Sequence, residues 1–135
     1  MKTQNKFLII DDDDTATLLY SLILMHALGD KINVKCFNLP NDGVNYINDE
    51  LKDAENLKIV LFLDINMPIL TGWDVLDLID KMHESIKKQL IIFMLSSSIN
   101  PNDKMRATAH PLVADFIEKP LTVEIIQDLV KLGEI

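Results

Sequence analysis

A chain of 135 residues, 48% of them hydrophobic, is long and apolar enough to fold as one domain with its own core, which excludes a disordered polymer. Its formal charge of −8 argues against a nucleic-acid partner, because phosphate backbones are held by clustered Lys and Arg. No apolar run approaches the roughly 20 residues of a membrane span, and the N-terminus lacks the pattern of a signal peptide. The expected protein is soluble and cytoplasmic.

Residues 7–10 are the first short apolar run, and Asp11, Asp12, Asp13 and Asp14 end it. Residues 15–28 carry Leu18, Leu19, Leu22, Ile23 and Leu24 at helical spacing, with Asp13 or Asp14 placed to cap the helix and Gly29 just beyond its end. Residues 34–37 form a second strand. Cys36, the single cysteine, lies within it, permits no internal disulfide and is expected to be a small buried hydrophobe. The sequence Asn41-Asp42-Gly43 marks the entry to a helix over about 44–52. Residues 59–63 form a third strand ended by Asp64, and residues 73–82 a helix bearing Trp73, Val75, Leu76, Leu78 and Ile79. Trp73 and the methionines are expected to pack rather than touch a cofactor. Residues 90–95 lead into Ser96-Ser97-Ser98, and Asn100-Pro101 opens the next helix. Residues 113–117 end in Glu118-Lys119-Pro120, and Thr122 caps a final helix over 123–132, with Glu124 in its first turn and Gly133 after it. The first, third and fourth runs are almost continuously apolar, which suits strands buried on both faces. Strand and helix alternate five times, so the pattern predicts an α/β protein of (βα)5 type around a five-stranded parallel sheet.

Ligands of open parallel α/β sheets bind beyond the carboxyl ends of the strands, so the residues that end the strands are the informative ones. Asp11 and Asp12, then Asp64, Ser96 and Lys119, all stand there. Each alone has a bland reading: a solvated acidic loop, a strand end, a common hydroxyl cluster, an ordinary lysine. Together, in this order and at four strand tips, they point to chemistry. Three carboxylates brought close resist full ionisation. A hard divalent cation relieves them, and oxygen ligands suit Mg²⁺. With Lys119 the cluster balances three negative charges against three positive. An acyl phosphate on Asp64 would add about one further negative charge, which hydroxyl and N–H donors can absorb. Asp64 is therefore the expected nucleophile. Asp11 and Asp12 are the expected metal ligands, beside Asp64 and the backbone carbonyl of Asn66. Ser96 and Lys119 are placed to hold phosphoryl oxygens, and Asn66 and Ser98 to face the hydrolytic water. His26, His83 and His110 show no metal-ligand spacing and are expected to be structural or surface residues.

These residues resemble those of a response-regulator receiver domain of two-component signalling. The resemblance is carried by Phe7-Leu8-Ile9-Ile10-Asp11-Asp12, Leu63-Asp64-Ile65-Asn66-Met67-Pro68 with Gly72, Met94-Leu95-Ser96 and Phe116-Ile117-Glu118-Lys119-Pro120, and spans nearly the whole chain. It implies a flavodoxin-like fold with strand order 2-1-3-4-5 and a cis Lys119-Pro120 bond. Asp11 and Asp12 fall on the acidic pair, Asp64 on the phospho-acceptor, Ser96 on the switch hydroxyl, Lys119 on the lysine and Phe116 on the aromatic switch. Two departures matter. Ser96 replaces the commoner threonine, and Phe116 the frequent tyrosine, so output through a ring hydroxyl is excluded while output through ring burial is not.

The resemblance also implies a histidine kinase or histidine phosphotransfer protein as phosphodonor, a downstream protein target, and a monomer or a phosphorylation-dependent dimer. The only catalysis expected is of the domain's own phosphorylation and dephosphorylation. With 15 residues after Pro120, the expectation is a single receiver domain over 1–135 with no output domain, signalling through the face of its last two long helices and fifth strand. Two other classes fit less well. A phosphatase resembling the haloacid-dehalogenase group needs an acid two residues after its nucleophile, where Asn66 stands. A phosphate-independent docking domain needs none of the five site residues.

Overall fold

The structure, a computed structural model, describes residues 4–97 and 100–135. The elements run β1 (Gln4–Ile10), α1 (Asp14–Leu28), β2 (Asn33–Phe37), α2 (Pro40–Leu51), β3 (Leu57–Asp64), α3 (Gly72–Asp80), α4 (Glu84–Lys87), β4 (Leu90–Ser96), α5 (Pro101–Ala109), β5 (Val113–Glu118) and α6 (Val123–Lys131). All five strands are parallel, in the order β2-β1-β3-β4-β5. This is the flavodoxin-like arrangement that the resemblance implies. Strands β1, β3 and β4 are interior, and β2 and β5 are the edges.

The side-chain period of two sends alternate strand residues into two separate cores. Leu8, Ile10, Ile59, Leu61, Leu63, Ile92 and Met94 pack with α2, α3, Ile86 of α4 and Ala107 of α5. Phe7, Ile9, Val60, Phe62, Phe93 and Leu95 pack with Tyr20 and Leu24 of α1 and with Ile126 and Leu129 of α6. Phe62 and Phe93 stack across β3 and β4 with ring centroids 5.4 Å apart. Such a pair contributes about 0.5–1.5 kcal/mol beyond its buried area. Burial on both faces explains the unbroken apolar runs of the interior strands.

Helix caps fall where the sequence places them. Asp13 Oδ1 accepts from the N–H groups of Thr15 (2.9 Å) and Ala16 (3.3 Å). Asn100 accepts from Asn102 N–H at 2.9 Å, and Thr122 Oγ1 from Ile125 N–H at 3.1 Å.

Four expectations need correction. Cys36 is exposed, because β2 is an edge strand with fewer neighbours than the interior strands; its Sγ still lies 3.7 Å from the Thr17 carbonyl oxygen. The second helix begins at Pro40 rather than Val44 and takes in Asn41-Asp42-Gly43. A sixth helix, the single turn α4, follows α3, and His83 caps it: Nδ1 accepts from Ser85 N–H at 3.1 Å. Not every methionine packs. Met67 and Met94 are buried, but Met105 on α5 is 68% exposed.

Candidate functional site

The strand order puts the tips of β1 and β3 side by side, with Ile10 paired to Leu63, so Asp11 and Asp64 leave neighbouring strands at the same level. Both are almost completely buried, whereas Asp12 is exposed. Lys119, just past β5, reaches back between them. Its Nζ lies 3.0 Å from Asp11 Oδ2 and 3.2 Å from Asp64 Oδ1. Backbone bonds brace the frame: Lys119 N–H donates to the Ser96 carbonyl (2.8 Å) and Ile65 N–H to that of Leu95 (3.0 Å). Ser96 is fully buried at the tip of β4. The peptide bond between Lys119 and Pro120 is cis.

Asp11 is held on both sides. Its Oδ2 takes the lysine, and its Oδ1 accepts from Asp13 N–H at 3.0 Å. The acidic run thus divides by role: Asp13 caps α1, Asp14 accepts from Asn38 Nδ2 (3.0 Å), and Asp11 and Asp12 face the site.

Electrostatics follows from burial and crowding. Burial raises the Asp64 carboxyl above its usual range and the Asp11 charge raises it further, while Lys119 and the Asn66 backbone pull it back. Burial alone would lower the Lys119 ammonium. The hydrogen bond to Asp11 and the Asp64 and Asp11 charges outweigh that, and its pKa is raised. One carboxylate oxygen from each of Asp11, Asp12 and Asp64 lies within 4.8 Å of the others. Three oxygen donors, facing one lysine, form a set that fits a hard divalent cation.

Asp11, Asp12, Asp64, Ser96 and Lys119 therefore meet at one sheet edge, with Asn66 exposed in the loop after β3. Phe116 stands apart, half-buried in β5 and packed against the α2–α5 core. Ser98 lies outside the described residues. The sequence reading missed Tyr20, buried in α1 with the Lys119 ammonium 5.9 Å from its ring centroid. Burial raises the Tyr20 hydroxyl, with Lys119 opposing. The available clue was its spacing, since Tyr20 and Leu24 share one helix face. Thr71 and Asp74 were missed as well. They form a capping box that starts α3 next to the site.

With this geometry in place, the family model for the response regulator receiver domain matches residues 7–131. The chain belongs to this family. Among solved structures, a two-component response regulator from Cytophaga hutchinsonii is 29% identical, with TM-score 0.83 over 97% of this receiver domain and 97% of that chain. A response regulator receiver protein from Dyadobacter fermentans is 22% identical, with TM-score 0.83 over 95% and 96%. The CheX-CheY-BeF3-Mg+2 complex from Borrelia burgdorferi is 20% identical, with TM-score 0.74 over 98% and 90%. At the two lower identities the likeness is one of fold. No curated protein matches the receiver domain in sequence. Among its described residues no helix is long and apolar enough to cross a membrane.

Proposed function

We propose that Asp64 accepts a phosphoryl group from a phosphohistidine of a histidine kinase or histidine phosphotransfer protein, and that the acyl phosphate then switches a protein-binding surface. One observation carries the reading: a single lysine bridges two buried carboxylates on adjacent strand tips, with a third carboxylate oxygen within 4.8 Å. A structural ion pair needs one carboxylate; the surplus of acid is what a metal-dependent phosphoryl site requires.

In the step, an Asp64 carboxylate oxygen forms the new P–O bond as the P–N bond breaks, and the imidazole leaves with that electron pair. Lys119 keeps the attacking carboxylate oriented through Asp64 Oδ1. Bound Mg²⁺, held by Asp11, Asp12, Asp64 and the Asn66 carbonyl, would neutralise charge on the transferring group. Lys119 and the Ser96 hydroxyl take the remaining phosphoryl oxygens. Drawing Ser96 towards the phosphate frees space into which Phe116 turns, a local charge change that biases a two-state element. Asn66, exposed in the loop after β3, faces the water that later hydrolyses the anhydride.

The donor must bring its histidine to the mouth of the site. Leu18, Leu19 and Leu22, 62%, 48% and 52% exposed, offer apolar contact on α1, the helix that follows the acidic run. The reading treats residues 1–135 as one cytoplasmic receiver domain whose output runs through protein contact at α5, β5 and α6. The test is labelling by acetyl phosphate. Wild type should become labelled only with Mg²⁺ and Asp64→Asn not at all; full labelling of Asp64→Asn would overturn the assignment.

A further inference from the structure

Between edge strand β5 and helix α6 runs an open groove of about 470 Å³. Its apolar surface comes from Ile117 and Leu129, both buried, with Ile125 half-exposed and Leu132 73% exposed. Three acidic residues, Asp115, Glu118 and Asp128, line it as well. Among the described residues the one cation in the lining is Lys119, whose ammonium is already committed to Asp11 and Asp64. The groove therefore presents apolar surface under an uncompensated negative rim.

We propose that this groove binds a short cationic, apolar polypeptide segment, with one or two bulky apolar side chains seated over Ile125, Leu129 and Leu132 and Lys or Arg residues facing Asp115, Glu118 and Asp128. This rests on the reading of β5 and α6 as the output surface and names the chemistry of the partner. Charge complementarity selects the occupant: an acidic or neutral segment leaves three rim carboxylates facing like charge or nothing. The partner does not add as a sixth strand at the centre of β5. Asp115 Oδ1 accepts from Phe116 N–H at 2.8 Å, so that edge donor is occupied and docking runs through side chains. Lys119 lines the groove and also bonds Asp11 and Asp64, which joins the groove physically to the acceptor site.

The experiment titrates the full chain with a synthetic peptide of alternating Lys and Leu, and with its Glu-Leu counterpart, following backbone amide shifts. Each titration is run with Mg²⁺ alone and with Mg²⁺ plus beryllofluoride. The Lys-Leu peptide should shift amides of β5 and α6 and bind about tenfold more weakly to Asp115→Asn/Glu118→Gln/Asp128→Asn. Its affinity should fall with added salt. Asn at 115 retains an acceptor for Phe116 N–H, and the variant's own amide spectrum reports whether the fold is kept. Shifts scattered over the acidic surface, equal binding by the triple variant, or equal binding of the Glu-Leu peptide would each overturn the proposal. The acceptor-site reading is scored separately, by whether beryllofluoride shifts the amides around Asp11, Asp12 and Asp64. Groove binding without those shifts defeats the phosphoryl reading alone.

Discussion

Lys119 is the residue on which the site's electrostatics turns. In metal-free buffer Asp64 has a folded pKa above its unfolded value. Its contribution to stability is thus complete below about pH 3.9 and is lost as pH rises through the folded value. Lys119 has the opposite balance: its raised pKa supplies stability throughout neutral pH, lost only as pH rises through a value above about 10.4. Lys119→Met leaves Asp11 and Asp64 facing each other without a cation. Removing one member of a fully buried pair costs about 3–5 kcal/mol. The lysine side chain keeps 18% exposure, so the expected loss at neutral pH is on the order of 2 kcal/mol. Urea unfolding of both proteins across pH checks it. The deficit should narrow as pH falls into the carboxylate range, because a protonated Asp64 no longer needs the lysine; a deficit independent of pH would mean that Lys119 acts through packing. This residue was legible in the sequence only by its company. Nothing local distinguishes Lys119 from twelve other basic residues; its position at the end of the fifth strand does. Tyr20 escaped because its distinguishing property is the partner above its ring, which exists only once α1 is laid against the sheet.

At the scale of elements, the loop from β3 into α3 is where tolerance is least. Gly72 opens α3 directly beneath the acceptor: a Cβ there would sit 2.7 Å from the Asp64 carbonyl oxygen and 2.9 Å from Ile65 Cα. Both are backbone atoms and cannot swing aside. Gly72→Ala should therefore cost about 1–3 kcal/mol and displace Asp64, so urea unfolding and acetyl phosphate labelling should weaken together. A variant stable as wild type would show that the helix start relaxes freely. Gly43 teaches a different lesson. After Asn41-Asp42 it reads as a turn residue, yet it lies inside α2, where a Cβ would fall 2.5 Å from Ile10 Cδ1. The glycine serves a close helix–strand approach, which no local pattern reveals. The single turn of α4 was illegible for another reason, since four residues carry no period. The exposure of Cys36 depended on strand order, and β2 is an edge only by topology.

Across the whole molecule, 21 acidic residues face 13 basic ones, and three acids converge at one point. Any added salt relieves part of the general repulsion, so a specific metal site must show itself beyond that. At a concentration a hundredfold above its Kd, a ligand that binds only the folded state adds about 2.7 kcal/mol. For a domain of this size that is roughly a 10 °C rise in Tm. Mg²⁺ should produce such a rise over NaCl of matched ionic strength. Asp12 is the informative residue to change, because it is exposed and Lys119 bonds to Asp11 and Asp64 instead. Asp12→Asn should leave metal-free stability within about 0.5 kcal/mol of wild type while removing most of the Mg²⁺ gain. Asp11→Asn should lose both, since Asp11 also holds the Lys119 ammonium and the Asp13 N–H. An equal Mg²⁺ gain in wild type and Asp12→Asn would place the cation elsewhere on the acidic surface and remove the metal from the acceptor site.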